Sequence, residues 1–299
     1  MKRSWLTLNS SDKWGALHGV VPLLLLCVVI PYWSHIENGW VNLGIRTQSL
    51  WDRMLDTIGD DTFNLYVYGL NSWTFVLYWS VGLAFLFAET CARPQWLLRY
   101  KVQPKATVDR KRLYSLVTTV LVNQFFVILP FSIVSHYILL FRGTLPPIRE
   151  VPTFQRFVII FAILVTTQEV VGYYTHRLFH HRLIYKWTHK LHHQWTAPIA
   201  LSAYYNRPLD HLIVNMMPAT IGLPLTNAHF FTSWLWLTWA TLRTLSDHSG
   251  YHVLPFPSPR RRDFHHQKFT ECYGVWGPLD YLHGTETLFR ASKTASKSQ

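Results

Sequence analysis

Six apolar runs organise this chain, at residues 18–33, 73–90, 114–141, 156–173, 212–225 and 228–246, and several are long enough to cross a hydrocarbon layer. Wherever lipid surrounds the backbone, its polar groups have to be satisfied within helices, which excludes an open sheet or an irregular core. Composition agrees, since 49% of the 299 residues are hydrophobic and only 15% are charged. The runs predict an all-α integral membrane protein with up to six apolar segments. No small-residue cleavage site follows 18–33, and Trp33 sits at its edge as an interface anchor, so this run is read as a membrane segment and not as a cleaved signal. The run 212–225 is short for a full crossing and is expected to be tilted or re-entrant.

Charge sets the expected orientation. The stretch 93–112 carries Arg93, Arg99, Lys101, Lys105, Arg110, Lys111 and Arg112, and short loops rich in Lys and Arg stay in the cytosol. From there 114–141 leads out, 156–173 returns, and 212–246 forms a hairpin that leaves and comes back. That path brings residues 176–193 and 248–266 to one cytosolic face. The formal charge of +12 lies beside apolar runs and not in any nucleic-acid module, so nucleic acid is not the expected partner. An anionic leaflet or an acidic electron-donor protein fits the charge better. Cys27, Cys91 and Cys272 are too scattered for a zinc motif or a disulfide framework, which leaves histidine to hold any metal. No internal repeat is visible, and the Ser/Lys-rich 291–299 reads as a disordered tail.

Histidine is where the chemistry concentrates. His176 and His180 follow the fourth run, then come His189, His192 and His193, then His248 and His252, then His265 and His266. Spacings of three and four residues place imidazoles on one face of a helix, and neutral imidazole ligates iron, copper and zinc. These nine residues are the expected metal ligands, in an arrangement that reads as a two-metal site. The bland alternative, histidines lying against lipid headgroups, gives no reason for such spacing in separate groups. At a lipid boundary, with an apolar cavity, the fitting metal chemistry is oxygen activation, because iron can break a C–H bond that no protein acid or base can. Glu169 and Tyr173 share the face of His176 and, with Asp263, are the candidates for orienting the ligands through hydrogen bonds; Asp247 and Asp280 are weaker ones. His181, His211 and His283 are read as local hydrogen-bonding residues, His18, His35, His136 and His229 as interface residues, and Trp234, Trp236 and Trp239 as lipid-facing or interfacial packing.

Four stretches carry a family resemblance: 173–181, 185–198, 248–252, and 263–274 together with His283-Gly-Thr285. Their patterns HxxxH, HxxHH, HxxxH and a final HH resemble the fatty acid hydroxylase and sterol desaturase superfamily, most closely its sterol C4-methyl oxidase branch. The resemblance is strong over 150–290, loose over 92–149 and slight before that. It divides the chain into N-terminal membrane segments with the basic loop, 1–112, a hydroxylase/desaturase domain, 113–290, and the tail. It implies four core transmembrane helices under a cytosolic helical cap that holds two irons, in the endoplasmic reticulum membrane. Molecular oxygen would be the oxidant, electrons would come from NAD(P)H through cytochrome b5 and its reductase, and the substrate would be a membrane lipid, above all the C4-methyl group of a sterol. Fatty-acyl or sphingoid hydroxylation and desaturation share the same ligands.

Two positions depart from the pattern. Arg262 stands where the last box calls for a histidine, and Arg207 where relatives often carry one before Pro208. Arginine cannot ligate a metal, and a guanidinium turned inward would oppose one. Three outcomes stay open: nine histidines suffice, His211 or His283 fills the gap, or one iron is weakened, the extreme case being a metal-poor, non-catalytic regulator. A bis-histidine haem protein is the remaining class, and it would need histidines facing one another in mid-membrane.

Overall fold

The computed structural model describes residues 10–252 and 258–295, and among them secondary structure is helical apart from one isolated β-bridge between Lys101 and Tyr251. Three helices are long and apolar enough to cross a membrane: Asn64–Cys91, Arg110–Phe141 and Phe154–Phe179, with 28, 32 and 26 residues. At 1.5 Å per residue these reach about 42, 48 and 39 Å, more than the roughly 30 Å of a hydrocarbon core. They turn large apolar side chains outward, among them Phe87, Phe126, Phe141 and Ile159. Exposed apolar surface of this extent is a liability in water and the expected exterior in lipid.

These helices contain the runs 73–90, 114–141 and 156–173; the other runs fold differently. The run 228–246 lies in the helix Phe230–His248, whose inward side buries Thr232, Ser233, Thr241, Arg243, Ser246 and His248, so its overall apolarity falls short of a span. Residues 212–225 do not cross. They break into the π-helical turn His211–Met216 and the short helices Met217–Thr220 and Gly222–Thr226. Among the described residues, therefore, three helices have the length and composition of a span. The run 18–33 belongs to the helix Ser10–Ile58, but the side chains of residues 10–30 lie outside the described part. A last helix, Thr287–Ala295, extends past Arg290 into the expected tail, and 296–299 lie outside the described residues.

Proline explains two of the irregularities. Pro130 and Pro218 each lack the N–H that would continue the i to i−4 ladder, and each lies just beyond a π-helical turn, Gln124–Ile128 and His211–Met216. A second proline, Pro224, divides the 208–226 stretch further and leaves it lying against the 154–179 helix. There the absent side chain of Gly222 matters, since a Cβ would come within 2.7 Å of Leu164. Trp236 does not face lipid: it is fully buried beside Phe161 and donates its indole N–H to the Ala219 carbonyl at 2.6 Å. Trp239 is stacked between Trp236 and Trp276.

The core below the histidines joins Tyr78, Leu116, Val120, Trp195, Leu201, Tyr205 and Leu245, drawn from two spans, the 230–248 helix and the loop around Ala200–Tyr204. Buried polar groups pin that loop. Tyr78 donates its hydroxyl to the Leu201 carbonyl at 2.8 Å, and the Asn123 amide donates to the carbonyls of Tyr204 and Asn206, both at 2.9 Å. The basic loop 93–112 docks on the same end of the bundle. Val102 N donates to Gly250 O at 2.8 Å, His252 N to Tyr100 O at 2.9 Å, and the Arg112 guanidinium to Gln194 O at 2.7 Å. Placing this loop and the histidine groups on one face, as the charge pattern predicts, thus corresponds to direct contacts.

Removing the Asn123 amide leaves two carbonyls without their donor. Asn123→Ala is expected to lower stability by about 2 kcal/mol, read as a fall in the unfolding midpoint of the detergent-solubilised protein. Phe126→Ala, on the outward side of the same helix, is expected to change it by less than about 0.5 kcal/mol.

Candidate metal centre

Eight of the nine expected ligands meet above the spans, in two groups. His176, His180, His189, His193 and His265 place one ring nitrogen each within 4.8 Å of one another, and His192, His248 and His266 do the same. His252 belongs to neither group. Each group draws on several parts of the chain: His176 ends the 154–179 span, His180 caps it, His189, His192 and His193 sit in the irregular turns that follow, His248 ends the 230–248 helix, and His265 and His266 lie on the helix Arg260–Lys268. Consecutive residues on that last helix point about 100° apart, which sends His265 to the first group and His266 to the second.

The ring orientations are fixed from behind. His176 donates through Nδ1 to Tyr273 O at 2.7 Å, His265 to Glu271 O at 2.7 Å, His266 to Trp195 O at 3.0 Å and His248 to Thr244 O at 2.9 Å. His189 donates through Nδ1 to both oxygens of Asp210, each at 2.8 Å, in a fully buried pair. Carbonyl and carboxylate oxygens only accept, so these five rings carry their proton on Nδ1 and present a bare lone pair on Nε2. Three of these rings, His176, His189 and His265, belong to the first group, where the Nε2 atoms converge: those of His176 and His189 are 3.1 Å apart, of His193 and His180 3.0 Å, and of His265 and His193 3.1 Å. Facing lone pairs repel one another unless a cation lies between them. Ligands about 2.1 Å from a metal and at right angles would be separated by about 3 Å, so the donor set of the first group fits a metal ion. Burial, followed by neighbouring imidazoles and the Arg262 charge, holds the pKa of His193 and His265 well below the ordinary histidine value. Both rings are therefore neutral at physiological pH, the form that ligates.

The second group is built differently, because Arg262 points into it. Its guanidinium donates through Nε to His248 Nε2 at 3.0 Å and through an Nη to His192 Nε2 at 2.7 Å, and the other Nη lies 3.2 Å from His176 Nε2. Burial lowers its pKa to about 10, which still leaves it charged at neutral pH. The lone pairs that a second metal would need are thus already engaged by a cation. As folded, these residues fit one metal and do not fit two. Neither proposed substitute repairs this. His211 is buried against Tyr204 beside Asn215, and exposed His283 contacts Tyr174 and stacks on Tyr173. Arg207 is exposed and His181 lies on the surface.

The three expected orienting residues act at one remove. Glu169 touches no histidine; it accepts from the backbone N–H groups of Trp276, Gly277 and Leu279 at 2.8, 3.2 and 3.4 Å. Asp280 accepts from the N–H of Tyr273 and of Gly274, both at 2.8 Å. Together the two carboxylates clamp the loop whose Tyr273 carbonyl orients His176. Gly274 lies between them, where a Cβ would meet Glu169 Oε1 at 2.7 Å and Asp280 Oδ2 at 2.9 Å. Tyr173 shares its hydroxyl with Thr285 and receives an Arg177 guanidinium, and Asp263 accepts from the amides of Gln103 and Gln267, both at 2.7 Å. Asp210, the carboxylate that does hold one of the converging histidines, is not among the candidates. Its position 21 residues after His189 gives no periodic signal, and only the fold, through Asn206 and the Asn123 clamp, brings it there. Two histidines expected at the interface are instead buried: His136 lies edge-on to Phe63, and His229 caps the 230–248 helix by accepting from Phe231 N at 3.0 Å. His35 is exposed, and the His18 side chain lies outside the described residues.

A cavity of about 150 Å³ opens beside the centre. Its lining includes His176, His248 and Arg262, the apolar side chains of Val214, Pro218, Ala219, Leu237 and Ala240, and the polar groups of Gln168, Asn215, Arg243 and Asp247. Ligand pockets of roughly 300 Å³ or more enclose whole small molecules, so this cavity admits one end of a larger one.

The fatty acid hydroxylase family model matches residues 161–285, which contain all eight converging histidines. Fatty acid hydroxylase domain-containing protein 2 of Macaca fascicularis is 35% identical over 292 residues, covering 95% of this chain and 87% of that protein. Fatty acid hydroxylase ahd1 of Mycosarcoma maydis is 32% identical over 71% of this chain and 55% of its own length. Methylsterol monooxygenase 1 of Gallus gallus is 27% identical over 84% of this chain and 86% of its own length. No solved structure matches.

Because Asp210 fixes the His189 proton on Nδ1, Asp210→Ala is expected to weaken metal retention about 10- to 100-fold in competition with a chelator, and Asp210→Asn, which keeps one acceptor oxygen, to weaken it less.

Proposed function

From the premise that this chain belongs to the fatty acid hydroxylase family, we propose that it is an iron-dependent membrane oxidoreductase that hydroxylates a C–H bond of a membrane lipid, with the C4-methyl group of a sterol as its target. The observation that carries this reading is the convergence of five imidazoles at the end of a membrane span, three of them held by acceptors behind the ring, beside a cavity lined in part by apolar side chains. Iron bound there supplies oxygen activation: one atom of O2 enters the C–H bond and the other leaves as water, with two electrons and two protons consumed. The chain's own residues do the positioning. Tyr273 O, Glu271 O and Asp210 keep the lone pairs aimed, and Asp247 and Arg243 offer a polar end to a substrate whose apolar body lies along Val214, Leu237 and Ala240.

The electrons come from NAD(P)H through cytochrome b5 and its reductase, and the protein resides in the endoplasmic reticulum membrane with its histidines toward the cytosol. Two features support this: relatives of this chain include methylsterol monooxygenases, and the basic loop 93–112 gives an acidic donor protein a complementary surface beside the centre. The fatty-acyl and sphingoid alternatives use the same ligands. A second reading, a regulator that keeps the fold without the chemistry, is favoured by the guanidinium inside the second group.

Cells lacking the protein are expected to accumulate C4-methylated sterols several-fold in a lipid extract, and the His265→Ala variant is expected not to restore the profile. An unchanged sterol profile with altered hydroxylated acyl or sphingoid lipids would reassign the substrate. No lipid change at all would leave the regulator reading.

A further inference from the structure

The contacts of Arg262 go further than a missing ligand. On the Arg260–Lys268 helix, Arg262, His265 and His266 are spaced i, i+3 and i+4, so the turn that aims two imidazoles inward aims the guanidinium with them. Its planar fork meets the ring nitrogens of His248 at 3.0 Å, His192 at 2.7 Å and His176 at 3.2 Å. In this way a fixed positive charge sits among lone pairs that would otherwise repel one another, which is the office of a bound cation. Nε2 of His266, the third ring of that group, is left buried without a partner, as expected of a ligand set whose ion has been replaced by a group of different shape. Asp247 and Asp210 stand near enough to favour the charge.

We propose that this chain carries a single iron, in the group His176, His180, His189, His193 and His265, and that the Arg262 guanidinium occupies the place of a second ion among His192, His248 and His266. The inference rests on the reading of the histidine cluster as an iron centre. It separates the eight imidazoles into a group of five that holds metal, with His176 at its border with the guanidinium, and a group of three in which Arg262 holds His192 and His248, and it gives Arg262 the role of a positioning residue that keeps those two ordered in the absence of a metal. A second divalent ion brought to the three-histidine group would face both the guanidinium charge and the occupied lone pairs of His192 and His248.

The test is iron per chain on the full-length protein in detergent, loaded with ferrous iron, desalted and counted by mass spectrometry against protein concentration. Wild type is expected to hold about one iron and Arg262→His about two, with the second iron coupling magnetically to the first. Within the wild-type background, His248→Ala is expected to keep its iron and His265→Ala to lose it. Two irons in wild type would overturn the proposal, and that measurement stands even if Arg262→His fails to fold. A folded Arg262→His protein that stays at one iron would overturn it as well, and so would an equal loss in His248→Ala and His265→Ala. An iron-free wild type would overturn the iron-centre reading itself, an outcome distinct from the other three.

Discussion

Everything at the functional end of this molecule depends on one kind of hydrogen bond, the donation of an imidazole Nδ1–H to a fixed backbone or carboxylate acceptor. Tyr273 O, Glu271 O, Trp195 O, Thr244 O and Asp210 each hold one ring, and in doing so decide which nitrogen carries the lone pair and where it points. In the five-histidine group the rings of His176, His189 and His265 are held in this way, and ring nitrogens of all five come within 4.8 Å of one another. The acceptors are in turn held by the scaffold. Glu169 and Asp280 clamp the Tyr273 loop to a span, and Asn123 ties the segment that leads through Asn206 to Asp210. A rigid helical frame thus fixes ligand geometry in a region with little regular structure of its own.

The same frame accounts for what the sequence made legible. The runs 73–90, 114–141 and 156–173 lie in helices long and apolar enough to span, the form that lipid demands of a backbone. Histidine spacing picked out residues that converge: the i, i+3 and i+4 relation holds on the helices that carry His176, His265 and His266, while His189, His192 and His193 keep it in irregular turns. Eight of the nine came together on that basis. Asp210 escaped notice for the opposite reason: it reaches His189 through a tertiary path that leaves no trace in spacing. Glu169 was rightly singled out as a buried carboxylate needing partners, but its partners are three backbone N–H groups and not a histidine. The run 212–225 is short for a crossing, and Pro218 and Pro224 break the ladder that a continuous crossing requires.

Arg262 marks where the family pattern and this chain part. The family relationship accounts for the arrangement of boxes, and the chain's own geometry decides what they hold. A guanidinium and a metal ion are both cations that satisfy imidazole lone pairs, so replacing one by the other preserves the local fold while altering the chemistry available to it. The cavity beside it, lined by Arg243, Asp247 and apolar side chains, would then receive substrate next to an organic cation and the five-histidine group.

Iron in the five-histidine group would be bound through Nε2 atoms. X-ray absorption at the iron edge of the purified, iron-loaded protein tests this most directly. The expected spectrum has a first shell of about five nitrogen neighbours near 2.1 Å with the outer-shell scattering of imidazole. A shell dominated by sulfur, or one with two or fewer imidazoles, would contradict it.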